Sequence, residues 1–223
     1  MNQYEAFIFD MDGTLIDNMP YHIHSWLALF ADLDIHLTEQ EFQARLSGKT
    51  NAETVREMLG SQVNDAEVAR IAAQKEVQYR AMYGPKMQPV AGLADFLRQS
   101  QAAGLKTAVA TSAGPDNIAF VLDGLGLAGE FTAVVGAHDV QNGKPHPEIF
   151  LTAAARLAVA PSACLVFEDS RAGIEAARRA GMDVVVITTA LSVAEARTFA
   201  NVVAAAGDYQ TLDPLALLRL KKP

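Results

Sequence analysis

Phe7-Ile8-Phe9-Asp10-Met11-Asp12-Gly13-Thr14 is the stretch that decides how this chain folds. An apolar run ends abruptly in two carboxylates spaced two apart, followed at once by a glycine and a hydroxyl. Read as a buried parallel strand, Phe7 to Asp10 delivers Asp10 to the carboxyl end of a sheet, where open α/β folds place their ligands. Asp12 then sits on the turn just beyond, so that one carboxylate can attack while the other moves a proton. Asp-x-Asp-Gly also serves in solvated turns, and only the rest of the chain separates the two readings.

Working outward, residues from about Met19 to Tyr83 carry helical patterns almost throughout, punctuated by Gly48, Gly60 and Gly84-Pro85. In the last of these helices Val68, Ile71, Ala72, Tyr79 and Met82 fall on one stripe. From Pro89 onward short apolar runs alternate with helices. The strand candidates are Lys106–Ala110, Thr132–Val135, Cys164–Phe167 and Val184–Ile187, with a weaker one near Asn201–Ala204. Leu93–Ala103, Pro145–Leu157 and Ala172–Ala180 read as helices between them. This alternation predicts an α/β fold with a doubly wound, Rossmann-like parallel sheet. A helical domain over 17–85 interrupts it after the first strand, leaving a core of 1–16 and 86–223.

Composition narrows the function. The chain has 223 residues, half of them hydrophobic and a fifth charged, with a formal net charge of −8. That balance argues against nucleic-acid binding, which needs a basic footprint. The single cysteine, Cys164, lies in an apolar run and is expected to pack in the core. No stretch is long enough to span a membrane, and the first residues lack a signal peptide's basic start and apolar run. A cytoplasmic protein is expected, and a monomer, since nothing points to an obligate partner.

Three further polar clusters follow strand candidates: Thr111-Ser112, Lys144 within Asn142-Gly143-Lys144-Pro145, and Glu168-Asp169-Ser170. Each alone is an ordinary helix cap or solvated charge. In a parallel sheet, however, all these strand ends point the same way and converge with Asp10 on one crevice. Asp10, Glu168 and Asp169 supply hard oxygen ligands suited to Mg²⁺. The metal and Lys144 would neutralise a phosphoryl group that the carboxylates otherwise repel, while Thr111 and nearby amides donate to its oxygens. Asp10 is then placed to attack phosphorus, and Asp12 to protonate the leaving alkoxide and later to deprotonate the hydrolytic water.

Together these motifs resemble the haloacid dehalogenase-like superfamily of phosphohydrolases, over essentially the whole chain. Asp10-Met11-Asp12-Gly13-Thr14 is similar to its first motif, Thr111 to its second, Lys144 to its third and Glu168-Asp169 to its fourth. The resemblance implies Asp10 as nucleophile, Asp12 as acid/base, and Thr111 with Ser112 and Lys144 as the phosphate-binding set. Asp10, Asp169 and the Asp12 carbonyl would ligate Mg²⁺, with Glu168 direct or through water. The helical insertion looks like the small cap of the β-phosphoglucomutase-like group, with Thr14 to Asp17 as a flexible turn leading into it.

Within that group the cap selects the substrate, and His22, Trp26, Lys49 and Asn51 are its candidate residues here. Tyr21-His22-Ile23-His24-Ser25-Trp26 is similar to a Tyr-His-x-x-x-Trp pattern whose histidine helps control the acid/base aspartate in the mutases. Leu46-Ser47-Gly48-Lys49-Thr50-Asn51 departs from the mutase pattern, with Ser47 and Asn51 standing where those enzymes carry a lysine and an arginine. Lys49 is a substitute only as a point charge. The departure favours a Mg²⁺-dependent phosphatase of a small phosphorylated metabolite, such as a sugar phosphate, over a β-phosphoglucomutase interconverting β-glucose 1-phosphate and glucose 6-phosphate. A phospho-accepting signalling domain is the more distant alternative. It fits poorly, because the acceptor lies on the first strand and the chain is nearly twice too long. Gly48-Lys49-Thr50 imitates the end of a P-loop, but Gln43 stands where its first glycine belongs.

Overall fold

The computed structural model describes residues 3–46, 49–60 and 62–220. The chain forms two compact units, Met1–Asp17 with Met87–Pro223, and Asn18–Lys86.

Among the described residues the larger unit is built on six parallel strands in the order β3-β2-β1-β4-β5-β6. These are β1 (Ala6–Phe9), β2 (Lys106–Ala110), β3 (Ala133–Val135), β4 (Cys164–Glu168), β5 (Asp183–Ile187) and β6 (Val202–Ala206). β1 lies between β2 and β4, with Ile8 registered against Ala108 on one side and Val166 on the other. A strand covered on both faces must be apolar at every position, and all four residues of β1 are fully buried. Side chains alternate between two layers. Ala6 and Ile8 pack with Ile149, Phe150, Ala153 and Leu157 of α7 (Glu148–Leu157) and Ile174 and Ala177 of α8 (Arg171–Arg179). On the other face Phe7 stacks on Phe96 of α5 (Leu93–Ala102) at 5.9 Å, and Phe9 stacks on Phe167 at 4.5 Å. Tyr209 closes this aromatic layer, 5.2 Å from Phe96. α6 (Pro115–Gly124), α9 (Val193–Ala196) and α10 (Pro214–Leu217) complete the unit. Cys164, the chain's single cysteine, is buried, as expected for a core residue.

The strand expectations hold to within a residue or two at each end. One helix differs. α7 begins at Glu148 rather than Pro145, because Pro147 disfavours helical geometry at His146 before it. The three residues freed by that late start belong to the loop carrying Lys144. Glu148 holds this loop: its carboxylate accepts from the Gln141 and Asn142 amides at 2.9 and 3.0 Å and from Asn142 Nδ2 at 2.9 Å.

The smaller unit contains α1 (Met19–Ala31), α2 (Glu39–Leu46), α3 (Asn51–Leu59) and α4 (Asp65–Tyr83). Its apolar core joins Trp26, Leu29 and Phe30 of α1, Phe42 and Leu46 of α2, Val55 of α3, and Val68 and Ile71 of α4. Thr50 opens α3 with a reciprocal cap: its side chain accepts from the Glu53 amide, and Glu53 accepts from the Thr50 amide. This, rather than a phosphate loop, is what Lys49-Thr50-Asn51 builds. On α4 the expected stripe is corrected. Val68, Ile71 and Tyr79 face inward, but Met82 is 37% exposed and Lys75 takes the inward position. The buried row runs Ile71, Lys75, Tyr79, Tyr83, each four residues apart. Among the described residues no helix is long and apolar enough to cross a membrane.

Phe96 touches Phe7, Phe9, Phe167 and Tyr209 at once. Phe96→Ala is therefore expected to cost about 3–5 kcal/mol of stability, the range for a large core truncation, read as a lower urea midpoint with an unchanged slope.

Candidate active site

The sheet register builds this site. The Asp10 amide continues the β1–β4 ladder by donating to the Phe167 carbonyl at 2.9 Å, which sets Asp10 level with the end of β4. Glu168 is the last residue of β4 and Asp169 the next. Beyond β2, the Thr111 amide donates to the Val135 carbonyl at 3.0 Å. The loop after β3 returns Lys144 to the same end, where its ammonium donates to Asp10 Oδ1 at 2.7 Å and to Glu168 Oε1 at 2.6 Å. The Lys144 side chain is 7% exposed and lies 5.0 Å from the Phe150 ring centre.

Asp10, Glu168 and Asp169 each offer an oxygen within 4.8 Å of the others, and all three residues are buried. One ammonium faces three carboxylates, so the cluster is short of positive charge. Burial pushes the Asp10 carboxyl up to about 7; Lys144 opposes the rise, and the charges of Glu168 and Asp12 add to it. Burial likewise pushes Asp169 up to about 9, assisted by Glu168 and Asp10. Burial alone would lower Lys144, but the two carboxylates it bridges hold it above the ordinary lysine range. A buried, all-oxygen, charge-deficient cluster fits a hard divalent cation.

Within this cluster Glu168 is already heavily bonded. Its Oε2 accepts from the Asp169 amide at 2.9 Å, the Ser170 amide at 2.8 Å and Ser170 Oγ at 2.9 Å, while Oε1 takes Lys144. Ser170 in turn caps α8 by accepting from the Gly173 amide. Thr111 is buried and its hydroxyl oxygen accepts from the Ala113 amide at 3.1 Å, leaving its own proton to donate elsewhere. Ser112 is exposed. Asp12 is half-buried, on the turn beyond Asp10. Gly13 follows at φ +78°, and a Cβ there would overlap the Asp169 carboxylate, so the position requires glycine twice over. The stretch expected to flex, Thr14 to Asp17, is fully buried over Thr14, Leu15 and Ile16, and Ile16 bridges to Pro89.

Two residues that the sequence reading missed hold this turn. Thr189, just after β5, donates its hydroxyl to the Gly13 carbonyl at 2.6 Å, and Tyr209 donates to the Thr14 carbonyl at 3.2 Å. Thr188-Thr189 carries the same signal that identified Thr111, a hydroxyl directly after an apolar strand. Nothing distinguishes Tyr209 in sequence from an ordinary core aromatic.

The candidate residues of the helical unit fall in different settings. Trp26 lies in its apolar core, stacked on Phe30 at 5.2 Å. Lys49 is exposed, 3.8 Å from Glu57. Ser47 and Gly48 lie outside the described residues. His22 and Asn51 share a polar network that the sequence reading did not foresee. Lys75 Nζ donates to His22 Nδ1 at 2.6 Å and pairs with Glu76 at 3.0 Å, and Asn51 Nδ2 donates to that same Glu76 oxygen at 2.9 Å. His22 stacks on Tyr79 at 3.8 Å, and the Asn18 carboxamide lies 2.6 Å from the Tyr79 hydroxyl. The available signal was a lysine in an otherwise apolar helical row.

Gly173, in the first turn of α8, makes room for the Glu168 carboxylate, because a Cβ there would overlap Glu168 Oε1. Helix propensity alone favours Gly173→Ala by about 1 kcal/mol. The steric term is expected to win, giving a lower melting temperature and weaker divalent-cation binding by calorimetry.

The profile of the haloacid dehalogenase-like hydrolases matches residues 7–187. The fructose-1-phosphate phosphatase YqaB of Escherichia coli K12 is 34% identical over 183 residues, covering 82% of this chain and 96% of that protein. The β-phosphoglucomutase of Bacillus subtilis 168 is 32% identical over 186 residues, covering 80% of each. Among solved structures, a family IA, variant 3 hydrolase of this superfamily from Entamoeba histolytica superposes with a TM-score of 0.92 at 27% identity, covering 98% of this chain and all of that one. With the parallel sheet, the helical insertion and the buried acidic cluster, these matches place the chain among the haloacid dehalogenase-like hydrolases, in the β-phosphoglucomutase and sugar-phosphatase group, as an enzyme.

Proposed function

We propose that the protein is a Mg²⁺-dependent phosphatase that hydrolyses a small phosphorylated metabolite, a sugar phosphate, through an aspartyl-phosphate on Asp10. The observation that carries this reading is the Lys144 ammonium held between Asp10 and Glu168. It keeps one oxygen of Asp10 oriented and supplies part of the positive charge that an incoming phosphoryl group requires.

Asp10 attacks phosphorus with a carboxylate oxygen, and the bond from phosphorus to the ester oxygen breaks. Asp12 donates its proton to the departing alkoxide. In the second step Asp12 takes a proton from water, which attacks phosphorus and frees Asp10 and inorganic phosphate. Thr111, the amide and hydroxyl of Ser112, and Lys144 bind the phosphoryl oxygens. Asp10, Asp169 and the Asp12 carbonyl would hold Mg²⁺, with Glu168, already engaged by four donors, in support. Bound there, the cation offsets charge on the phosphoryl oxygens.

Hydrolysis is preferred to mutase chemistry because of Asn51. A mutase must hold a second phosphate, and an arginine fork is suited to that task. Asn51 instead bonds to the Glu76 carboxylate. The curated relatives include a named sugar phosphatase and a named mutase. Supplying β-glucose 1-phosphate with a trace of glucose 1,6-bisphosphate separates the two: free phosphate is expected, and glucose 6-phosphate as the main product would reverse the order. His22, Trp26, Lys49 and Asn51 remain the proposed cap contributors, with Trp26 acting through packing.

Two outcomes follow. With Mg²⁺ and a panel of sugar phosphates the protein should release phosphate, and Asp10→Asn should reduce turnover at least about a thousandfold; residual activity near wild type would refute the nucleophile. The second concerns pH in metal-free protein. Asp10 and Asp169 have folded pKa values of about 7 and about 9, above the ordinary 3.8, so the folded state binds more protons than the unfolded one across that span. Their contribution to stability is complete below pH 3.8 and is lost as pH rises through about 7 and then about 9. Mg²⁺ competes with those protons, so its gain in melting temperature should be larger at pH 8 than at pH 5.5, read by differential scanning fluorimetry with and without chelator.

A further inference from the structure

We propose that Thr189 and Tyr209 are positioning residues for the acid/base aspartate, two hydroxyl clamps that fix the turn on which Asp12 sits. The inference rests on the reading of Asp12 as the group that protonates the leaving alkoxide.

The turn is held at one end from within. The Thr14 and Leu15 amides donate to the Met11 carbonyl at 3.2 and 2.8 Å, and the Gly13 amide donates to the Ile16 carbonyl at 2.8 Å. These bonds do not use the carbonyls of Gly13 and Thr14. Each is met by a side-chain hydroxyl from a distant part of the chain: Thr189 Oγ1 at 2.6 Å from the Gly13 oxygen, and Tyr209 Oη at 3.2 Å from the Thr14 oxygen. The setting makes both bonds matter. Thr14 is fully buried and Tyr209 is 2% exposed, so a carbonyl that lost its donor there has no ready replacement in water.

Gly13 is the reason a clamp is needed. With φ at +78° and no Cβ, it is the most conformationally free residue of the turn, and it directly follows Asp12. Rotation of the peptide planes on either side of Gly13 swings the Asp12 side chain relative to Asp10. The two hydroxyls fix the 13–14 and 14–15 planes, and the Gly13 amide's bond to the Ile16 carbonyl fixes the 12–13 plane before them, which together remove that freedom. Tyr209 is itself held, since its ring packs on Phe96 and its amide donates to the Ala91 carbonyl at 2.9 Å. Thr189 is anchored by its position at the end of β5, where its amide donates to the Ile187 carbonyl. Neither residue is hydrogen-bonded to Asp10, Glu168 or Lys144 in the contacts described above, but the charges of Asp10 and Asp169 reach the buried Tyr209 hydroxyl, so the test must separate an effect on Asp12 from one on the nucleophile.

The test exploits what a general acid does. An alkoxide leaving group needs the proton; p-nitrophenolate leaves without it. The quantity to compare is kcat/KM, which covers steps up to leaving-group departure, for a sugar phosphate turned over by the wild type and for p-nitrophenyl phosphate. Asp12→Asn is the reference and should lose far more on the sugar phosphate, within the 10²–10⁴-fold range of general acid catalysis. Thr189→Val and Tyr209→Phe keep volume and packing while deleting one hydroxyl each. Each is expected to lower kcat/KM roughly tenfold on the sugar phosphate and less than about twofold on p-nitrophenyl phosphate, within the share of that range a displaced acid forfeits. Thr189→Ser should restore the wild-type ratio. Equal losses on both substrates, or none on either, in variants that melt like wild type would overturn the clamp. If Thr189→Val fails to fold, Tyr209→Phe decides alone. An Asp12→Asn variant that loses equally on both substrates would instead bring down the acid/base reading, and the clamp with it.

Discussion

A single buried ammonium organises the catalytic end of the sheet. Lys144 bridges Asp10, the residue just past β1, and Glu168, the last residue of β4, at the ends of the two central strands. Removing one partner from such a buried pair typically costs about 3–5 kcal/mol, because the remaining charge is left uncompensated. The surroundings are arranged to keep the bridge in place. Glu148 ties down the loop that brings Lys144 in, Phe150 lies beneath the ammonium, and three donors from Asp169 and Ser170 fix the far oxygen of Glu168. The bridge nevertheless supplies one positive charge to three buried carboxylates. Burial first, and that shortfall second, is why Asp10 and Asp169 resist ionisation, and the shortfall is why the cluster suits a divalent cation.

How much of this was legible in sequence depended on whether a feature was local. β1 could be read because a strand buried on both faces shows as an unbroken apolar run, and Asp10 because a charge ends that run. The other strand-end clusters followed by the same rule, since parallel strands share one direction. Helical periodicity over Pro145–Leu157 sets the start of α7 too early, because it takes no account of the effect of Pro147 on the residue before it. Met82 is apolar and three residues beyond Tyr79, which fits an inward stripe in sequence, whereas the buried row advances by four and reaches Tyr83. Lys75 escapes the same pattern for the opposite reason, as a charge on a stripe otherwise composed of apolar residues.

Tyr209 marks the limit of such reading. Its bond to Thr14 spans 195 positions and depends on how the segment after β6 returns beneath the sheet. No local pattern encodes that return. The helical unit poses a similar problem. Its polar network joins α1, α3 and α4 through His22, Asn51, Lys75 and Glu76. Only the pairing of Asn51 with a carboxylate turns a departure from the mutase pattern into a physical argument about a second phosphate.

The proposed reaction turns on a covalent step at Asp10, and trapping that intermediate tests it most directly. Enzyme mixed with Mg²⁺ and a turned-over sugar phosphate, quenched in acid within the first turnovers and digested, can be mapped by mass spectrometry. One added phosphoryl group is expected on the peptide containing Phe7 to Thr14, localised to Asp10. A phosphoryl group on any other residue, or turnover with none trapped on Asp10 under conditions that preserve acyl phosphates, would contradict it.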